Sequence, residues 1–256
     1  MQGAQRQQKI AQLVKEQGFV SLQWLVSQIQ VSESTIRRDL DQLAERNLVT
    51  RIHGGAVVPE DSGGPSIDLV EPSVDTRAGR SHAAKQMIAR RAYEMAVPGQ
   101  TIALDIGTTT FELARLMREA HLRIFTNSLK IAGLLSETRP SVYIPGGQVS
   151  GSEPSVVGAR AIEYLNSFFF DIVFIGVSGL SSEGYFDYSL EDSEIKKALI
   201  SRARQKVVLL DSTKFDRMSV ALVARMDEID TLVTDAPPPQ KLSQALEAAG
   251  VRVDLA

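Results

Sequence analysis

Val31-Ser32-Glu33-Ser34-Thr35-Ile36-Arg37-Arg38-Asp39-Leu40 is the stretch on which the reading of this chain turns. Ile36 and Leu40, continued by Leu43, recur at helical spacing and form one apolar face. Ser32 stands where a helix cap belongs, because its side-chain oxygen can accept a first-turn amide, and Glu33 adds an acid where the helix dipole favours one. Ser34, Thr35, Arg37 and Arg38 then fall in the first two turns, where a recognition helix meets base edges and phosphates. Arginine can engage guanine through two parallel hydrogen bonds, while serine and threonine contact bases or phosphates more loosely. A surface helix with two solvated arginines is the competing reading of this stretch taken alone.

Working outward, two more short helices precede it. Ile10, Leu13 and Val14 mark the first, which Gly18 ends; Leu22, Leu25, Val26 and Ile29 mark the second, with Ser21 as its cap. After the third helix, Leu48 to Val58 holds two β-prone runs around His53-Gly54-Gly55, a small hairpin or wing on which Arg51 and His53 can reach flanking DNA backbone. Residues 1–58 carry a balance of +2 and the remainder −5, within a formal net charge of −3. A mildly basic head on an acidic body is consistent with a local phosphate-contacting surface.

Residues 59–75 contain three prolines and two glycines without periodicity and read as a linker. Beyond it, residues 76–256 alternate strand-like and helical runs: 101–107, a helix from 111 to 118, 122–127, a helix at 129–135, 141–147, 171–179, a helix at 191–204, 206–211, 231–235, a helix at 239–249, and 251–256. Short Val/Ile/Leu strands alternating with amphipathic helices predict an α/β domain with a parallel, Rossmann-like sheet covered on both faces.

Several turns in this domain are rich in donors. Asp105-Ile106-Gly107-Thr108-Thr109-Thr110 follows a strand and opens a helix; its amides and three hydroxyls at a helix N-terminus suit a phosphate monoester. Thr126-Asn127-Ser128, Gly146-Gly147 and Asp211-Ser212-Thr213-Lys214 follow later strands, the last offering a cation. Ligands on open α/β sheets collect at such strand ends. Two roles stand open for Asp105, ligand contact or capping of nearby amides. Asp187, Tyr188 and Glu191 are further candidates for the pocket, although Glu191 and Glu194 beside Lys196 and Lys197 also fit a solvated face with local ion pairs. Phe168-Phe169-Phe170 reads as core or subunit interface.

Arg6 to Val57, through Val31-Ser32, Thr35 to Leu40 and Leu48 to Ala56, resembles the DNA-binding domain of the DeoR family of bacterial sugar-metabolism repressors. Residues from about 76 to 250 resemble that family's sensor domain through Asp105 to Thr110, Thr126 to Ser128, Gly146-Gly147, Gly158, Gly176 with Gly179, Glu191 with Lys196-Lys197, and Asp211 to Phe215. The resemblance implies a winged helix-turn-helix joined to a sensor similar in fold to ribose-5-phosphate isomerase. It also implies a phosphorylated sugar or sugar-alcohol effector that releases the protein from double-stranded operator DNA. In one respect the chain departs from the family, which often has arginine three residues after the Gly-Gly pair, where Ser150 stands here.

The remaining readings narrow the class. Cysteine is absent, which excludes disulfide frameworks, cysteine-based zinc sites and a cysteine nucleophile and fits the cytoplasm. His82 and His121 lack partners at metal-ligand spacing, so neither metal nor cofactor is expected, and no apolar run suits a membrane. An isomerase needs a carboxylate base. The turn corresponding to that enzyme's acidic loop, Gly176-Val177-Ser178-Gly179, holds no acid, so binding without turnover is expected. A sugar kinase, suggested by Asp-x-Gly-Thr-Thr, needs a second large domain for which the chain has no room. Helix-turn-helix readers act as symmetric pairs, which predicts a homodimer or homotetramer.

Overall fold

The computed structural model describes residues 3–17, 19–46, 48–52, 55–57, 66–67, 81–151 and 153–256. The chain divides into two compact units, Met1–Leu69 and Val70–Ala256. Most of the expected linker at 59–75 lies outside the described residues, as do Gly18, His53 and Gly54.

In the first unit, α1 (Gly3–Gln17), β1 (Phe19–Ser21), α2 (Leu22–Ile29) and α3 (Glu33–Glu45) precede β2 (Thr50–Ile52) and β3 (Gly55–Val57). β3 lies between β1 and β2 and runs antiparallel to both. The hairpin was legible, whereas β1 was not: three residues are too few to show a period, and they form a strand only because β3 offers an edge. Ser21 is the last residue of β1, directly before α2. The core is Ile10, Val14, Leu25, Ile29, Ile36, Leu40 and Leu43, with Val49 and Ala56 from the wing. Leu13 and Val26, read as face positions, pack at its margin. A second tie is polar: buried Asp39 on α3 accepts from Arg6 and Gln7 on α1, bolting the recognition helix to the first helix.

A two-residue strand, β4 (Ser66–Ile67), follows the wing. The second unit opens with α4 (His82–Tyr93) and proceeds through β5 (Thr101–Leu104), α5 (Thr108–Leu116), β6 (Arg123–Thr126), α6 (Leu129–Leu135) and β7 (Ser141–Tyr143). A hairpin, β8 (Gln148–Ser150) with β9 (Ser155–Val157), leads to α7 (Ala159–Asn166) and β10 (Phe170–Gly176). Then come β11 (Gly179–Ser181), β12 (Gly184–Asp187), α8 (Leu190–Ser201), β13 (Ala203–Leu209), β14 (Arg217–Met218), β15 (Ala221–Ala224), β16 (Thr231–Thr234), α9 (Gln240–Ala248) and β17 (Arg252–Leu255).

Seven strands form one sheet in the order β17-β16-β13-β10-β5-β6-β7, parallel throughout. Both faces are buried, and the two-residue period of a strand sorts side chains between them. Ile102, Leu104, Ile172, Phe174, Val207 and Leu209 pack against Ile88, Leu113 and Ile131 of α4, α5 and α6. Ala103, Val173, Ile175 and Val208 face Leu165, Ile195, Leu199 and Leu246 of α7, α8 and α9 on the other side. The chain winds outward from β5 toward β7, then from β10 toward β17. The switch point therefore lies between β5 and β10, and a crevice opens at their carboxyl ends. A small antiparallel sheet, β11-β12-β15, stands beside it and had not been anticipated. Of the phenylalanine run, Phe170 is core, Phe168 packs against it, and Phe169 is 74% exposed under the Arg202 guanidinium.

Candidate functional sites

The first site is the exposed face of α3. Ser32 caps the helix, accepting from the Thr35 amide at 3.3 Å. Its hydroxyl also lies 2.9 Å from that of Ser34 and 2.8 Å from that of Thr35. Ile36 and Leu40 face inward, and Arg37 and Arg38 are exposed. Arg37 donates from Nε and Nη2 to Glu33 Oε1 at 3.0 and 2.6 Å. An exposed i,i+4 ion pair of this kind is worth well under about 1 kcal/mol, so a phosphate or base can displace it. Arg51 lies in β2 opposite Ala56; His53 is outside the described residues.

The second site is the crevice at the switch point. Gly107, at φ +147°, precedes α5 and provides no side-chain cap, leaving the first amides of α5 to be met from elsewhere. Gly107, Thr108 and Thr109 line a cavity of about 90 Å³. Thr110 is buried and donates its hydroxyl to Gly107 O at 2.9 Å, closing the turn. Opposite elements contribute Val177 and Ser178 after β10, Asp187 to Ser189 before α8, and Thr213, Lys214 and Arg217 from the segment after β13. Lys214 Nζ donates to Val177 O at 2.7 Å and sits on the cavity wall.

A charge cluster is built into the cavity wall, with Lys196 and Asp187 on the lining and Asp105 wholly buried behind them. Lys196 Nζ donates to Asp105 Oδ2 and, at 2.9 Å, to Gly176 O, and forms an ion pair with Asp187 Oδ2 at 3.1 Å. Asp105 Oδ2 also accepts the Gly176 amide at 3.2 Å, while Oδ1 has no partner among the described residues. Burial pushes the Asp105 carboxyl up to about 7, against the pull of Lys196. Burial works against the Lys196 ammonium too, but Asp105 and Asp187 outweigh it and raise its pKa.

The other expected residues take supporting places. Thr126, Asn127 and Ser128 are fully buried. Thr126 Oγ1 accepts the Ser128 amide, Ser128 caps α6, and Asn127 Nδ2 lies 3.4 Å from Asp192 Oδ1. Asp192 also accepts from Ser155 at 2.7 Å and lines the cavity, so this turn braces a wall residue from behind. Gly146 and Gly147 are exposed and lie away from the cavity lining; a Cβ on Gly147 would stand 2.6 Å from Val157 O, a packing reason for glycine. Glu191 is exposed and accepts from Ser150 at 2.6 Å, so the position where the family often has arginine faces a carboxylate. Lys85, Glu153 and Arg217 line the cavity without having been singled out. Lys85 sits on α4, a helix the periodicity did not reveal. Lys196 was weighed as a solvated residue, yet it lies among Ile195, Ala198, Leu199 and Ile200, a setting that marks a buried lysine.

A reading head with a capped, arginine-bearing recognition helix, joined to an α/β body with a crevice at its switch point, defines a two-part transcriptional regulator. The chain belongs to the DeoR family: residues 6–62 match the DeoR-like helix-turn-helix domain and residues 80–236 the DeoR C terminal sensor domain. It is 33% identical to the glycerol-3-phosphate regulon repressor of Escherichia coli K12 over 258 residues, with all of both chains covered. It is 30% identical to the transcriptional repressor GlcR of Bacillus subtilis over 248 residues, covering 95% of this chain and 93% of the relative. Among solved structures, ribose 5-phosphate isomerase A of Methanocaldococcus jannaschii aligns over 52% of this chain and 54% of its own. That alignment has a TM-score of 0.39 and 18% identity.

Proposed function

We propose that this protein represses sugar-metabolism genes by binding operator DNA through residues 1–58, and that a phosphorylated sugar or sugar alcohol bound in the body, residues 76–256, releases it. Residues 59–75 connect the two. One observation carries the effector half of this reading: the uncapped start of α5 opens into the cavity that Lys214 and Arg217 also line. Backbone amides at a helix N-terminus, with hydroxyls and cations beside them, make a seat for a phosphate. On the DNA side, Ser34, Thr35, Arg37 and Arg38 stand on the open face of α3.

The reading includes binding without turnover. The Gly176–Gly179 turn holds no acid, and Asp105 is wholly buried behind Lys196. It also places the protein in the cytoplasm as a homodimer or homotetramer; among the described residues no helix is long and apolar enough to cross a membrane.

Thermal melts against sugar phosphates and their dephosphorylated counterparts test it. A ligand at about 100 times its dissociation constant adds roughly 2.7 kcal/mol of stability. A phosphorylated compound is expected to raise the melting temperature, its dephosphorylated form not, and the same compound to release bound operator. Thr108→Val together with Lys214→Ala should abolish the shift. If no phosphorylated compound moves the melt, the sensor reading fails.

A further inference from the structure

An anion entering the cavity meets a wall whose charges are already answered. Lys85, Lys196, Lys214 and Arg217 line it, and each of these four cations has a partner within the chain. Glu153, Asp187, Asp192 and Asp211 line it too, and Asp105 lies behind Lys196 as a fifth acid. With every group ionised, four cations face five carboxylates, and the site is negative by one charge before any effector arrives.

The excess is concentrated at Lys196. Asp105, Asp187 and Asp192 all act on this one buried ammonium. Asp187 is fixed as a carboxylate by the Tyr188 amide at 2.7 Å, Asp192 by the Ser155 hydroxyl at 2.7 Å, and Asp211 by the Thr213 hydroxyl. Donors to an ionised carboxylate hold it in that form. Asp105 is held on one side only. Lys196 and the Gly176 amide both donate to Oδ2, while Oδ1 is buried with no partner among the described residues. The Gly176 end of β10 and the Gly107–Thr109 turn bring no ionisable side chain toward it. Burial, reinforced by Asp187 and Asp192 and opposed by Lys196, sets this carboxyl at about 7, so a proton is within reach near neutrality.

Resting on the phosphate-sensor reading above, we infer that an anionic effector binds together with one proton, which Asp105 takes on Oδ1, so that the protein's response to its effector strengthens as pH falls. The proton comes from the solvent. It cancels the excess charge of the site and leaves Lys196, itself a lining residue, with one carboxylate fewer to answer, so that its field acts on the anion. Affinity rises as pH falls toward about 7 and levels off below, where Asp105 of the free protein already carries the proton.

Calorimetric titration of the full chain with glycerol 3-phosphate, glucose 6-phosphate and fructose 6-phosphate tests this. Between about pH 7.5 and about pH 8.5 these probes stay dianionic, since a phosphate monoester has its second ionisation at about 6. For a probe that binds, the dissociation constant should rise about tenfold per pH unit across that window, and heats measured in HEPES and in Tris should differ as uptake of about one proton requires. Asp105→Asn should bind the same probe with no pH dependence and no proton uptake, and its ligand-free melting curve shows that it is folded. A wild-type chain that takes up no proton, or uptake that persists in Asp105→Asn, overturns the inference while the phosphate-sensor reading survives. If none of the probes binds at any pH, the sensor reading falls and this inference with it.

Discussion

At the scale of single residues, the Lys196 cluster joins the stability of the body to its pocket. Asp105 is completely buried, and burial lifts its carboxyl from an ordinary value of 3.8 to about 7. The folded chain therefore holds a proton that the unfolded chain releases between those values. The contribution of this carboxyl to stability is fully present below about pH 4 and is lost as pH rises through about 7. Asp105→Asn removes the titration. Urea unfolding of both proteins between about pH 4.5 and about pH 7.5 should show wild type losing stability relative to the variant as pH rises. A constant difference across that window would mean that Asp105 stays ionised against Lys196 throughout. Lys196 also shows where residue-type reasoning stops. A lysine beside a glutamate on a helix is ordinary surface chemistry, and only the fold reveals that β5, β10 and β12 deliver Asp105, Gly176 and Asp187 to the same ammonium.

At the scale of elements, the start of α5 concentrates most of the argument. Gly107 has φ +147°, and a Cβ there would meet Thr110 Oγ1 at 3.2 Å, the hydroxyl that closes the turn. Gly107→Ala should cost about 1–3 kcal/mol through backbone strain and, by tilting the Thr108 and Thr109 amides, weaken binding of the phosphorylated effector. Chemical denaturation and the thermal-shift assay measure the two effects separately, and an unchanged protein in both would remove the turn from the site. This element was legible because a strand, a glycine and hydroxyl residues appear in succession. So was α3, whose cap and apolar face are local features, and so was the parallel sheet, whose strands read as continuous apolar runs. The helix α4 was missed because Lys85 interrupts its apolar pattern, and burial of Lys85 depends on distant strands; α7 was missed because it is only eight residues long, with Ala161 and Leu165 as its buried positions. The sheet β11-β12-β15 escaped for a related reason: its strands are three or four residues long, and β12 pairs with β15 across more than thirty intervening positions, from Asp187 to Ala221. Of the cavity lining, the Gly107–Thr109 turn and Lys214 could be read ahead. So could Asp187 and Asp211 among the acids on its wall; Asp192 and Glu153 could not, because they become wall residues only through the packing of α8 and the β8–β9 hairpin.

At the scale of the whole molecule, charge distribution and assembly meet in one measurable slope. The head carries +2 and the rest of the chain −5, so the attraction to DNA has to come from a few arginines placed on a favourable face, not from the chain's net charge. Binding that neutralises phosphates releases condensed counterions, and the logarithm of affinity falls with the logarithm of salt by about 0.9 for each contact. Arg38 is exposed on α3 beside Arg37. If one head engages the operator, Arg38→Ala should reduce that slope by about 0.9; if a symmetric pair of heads engages two half-sites, the same substitution acts twice and the reduction is about 1.8. Fluorescence anisotropy of operator DNA over a salt series reads the difference directly. A reduction near 1.8 supports the paired reader and predicts two half-sites separated by a whole number of helical turns. A reduction near 0.9 restricts the reader to one head, and an unchanged slope removes Arg38 from the phosphate contacts.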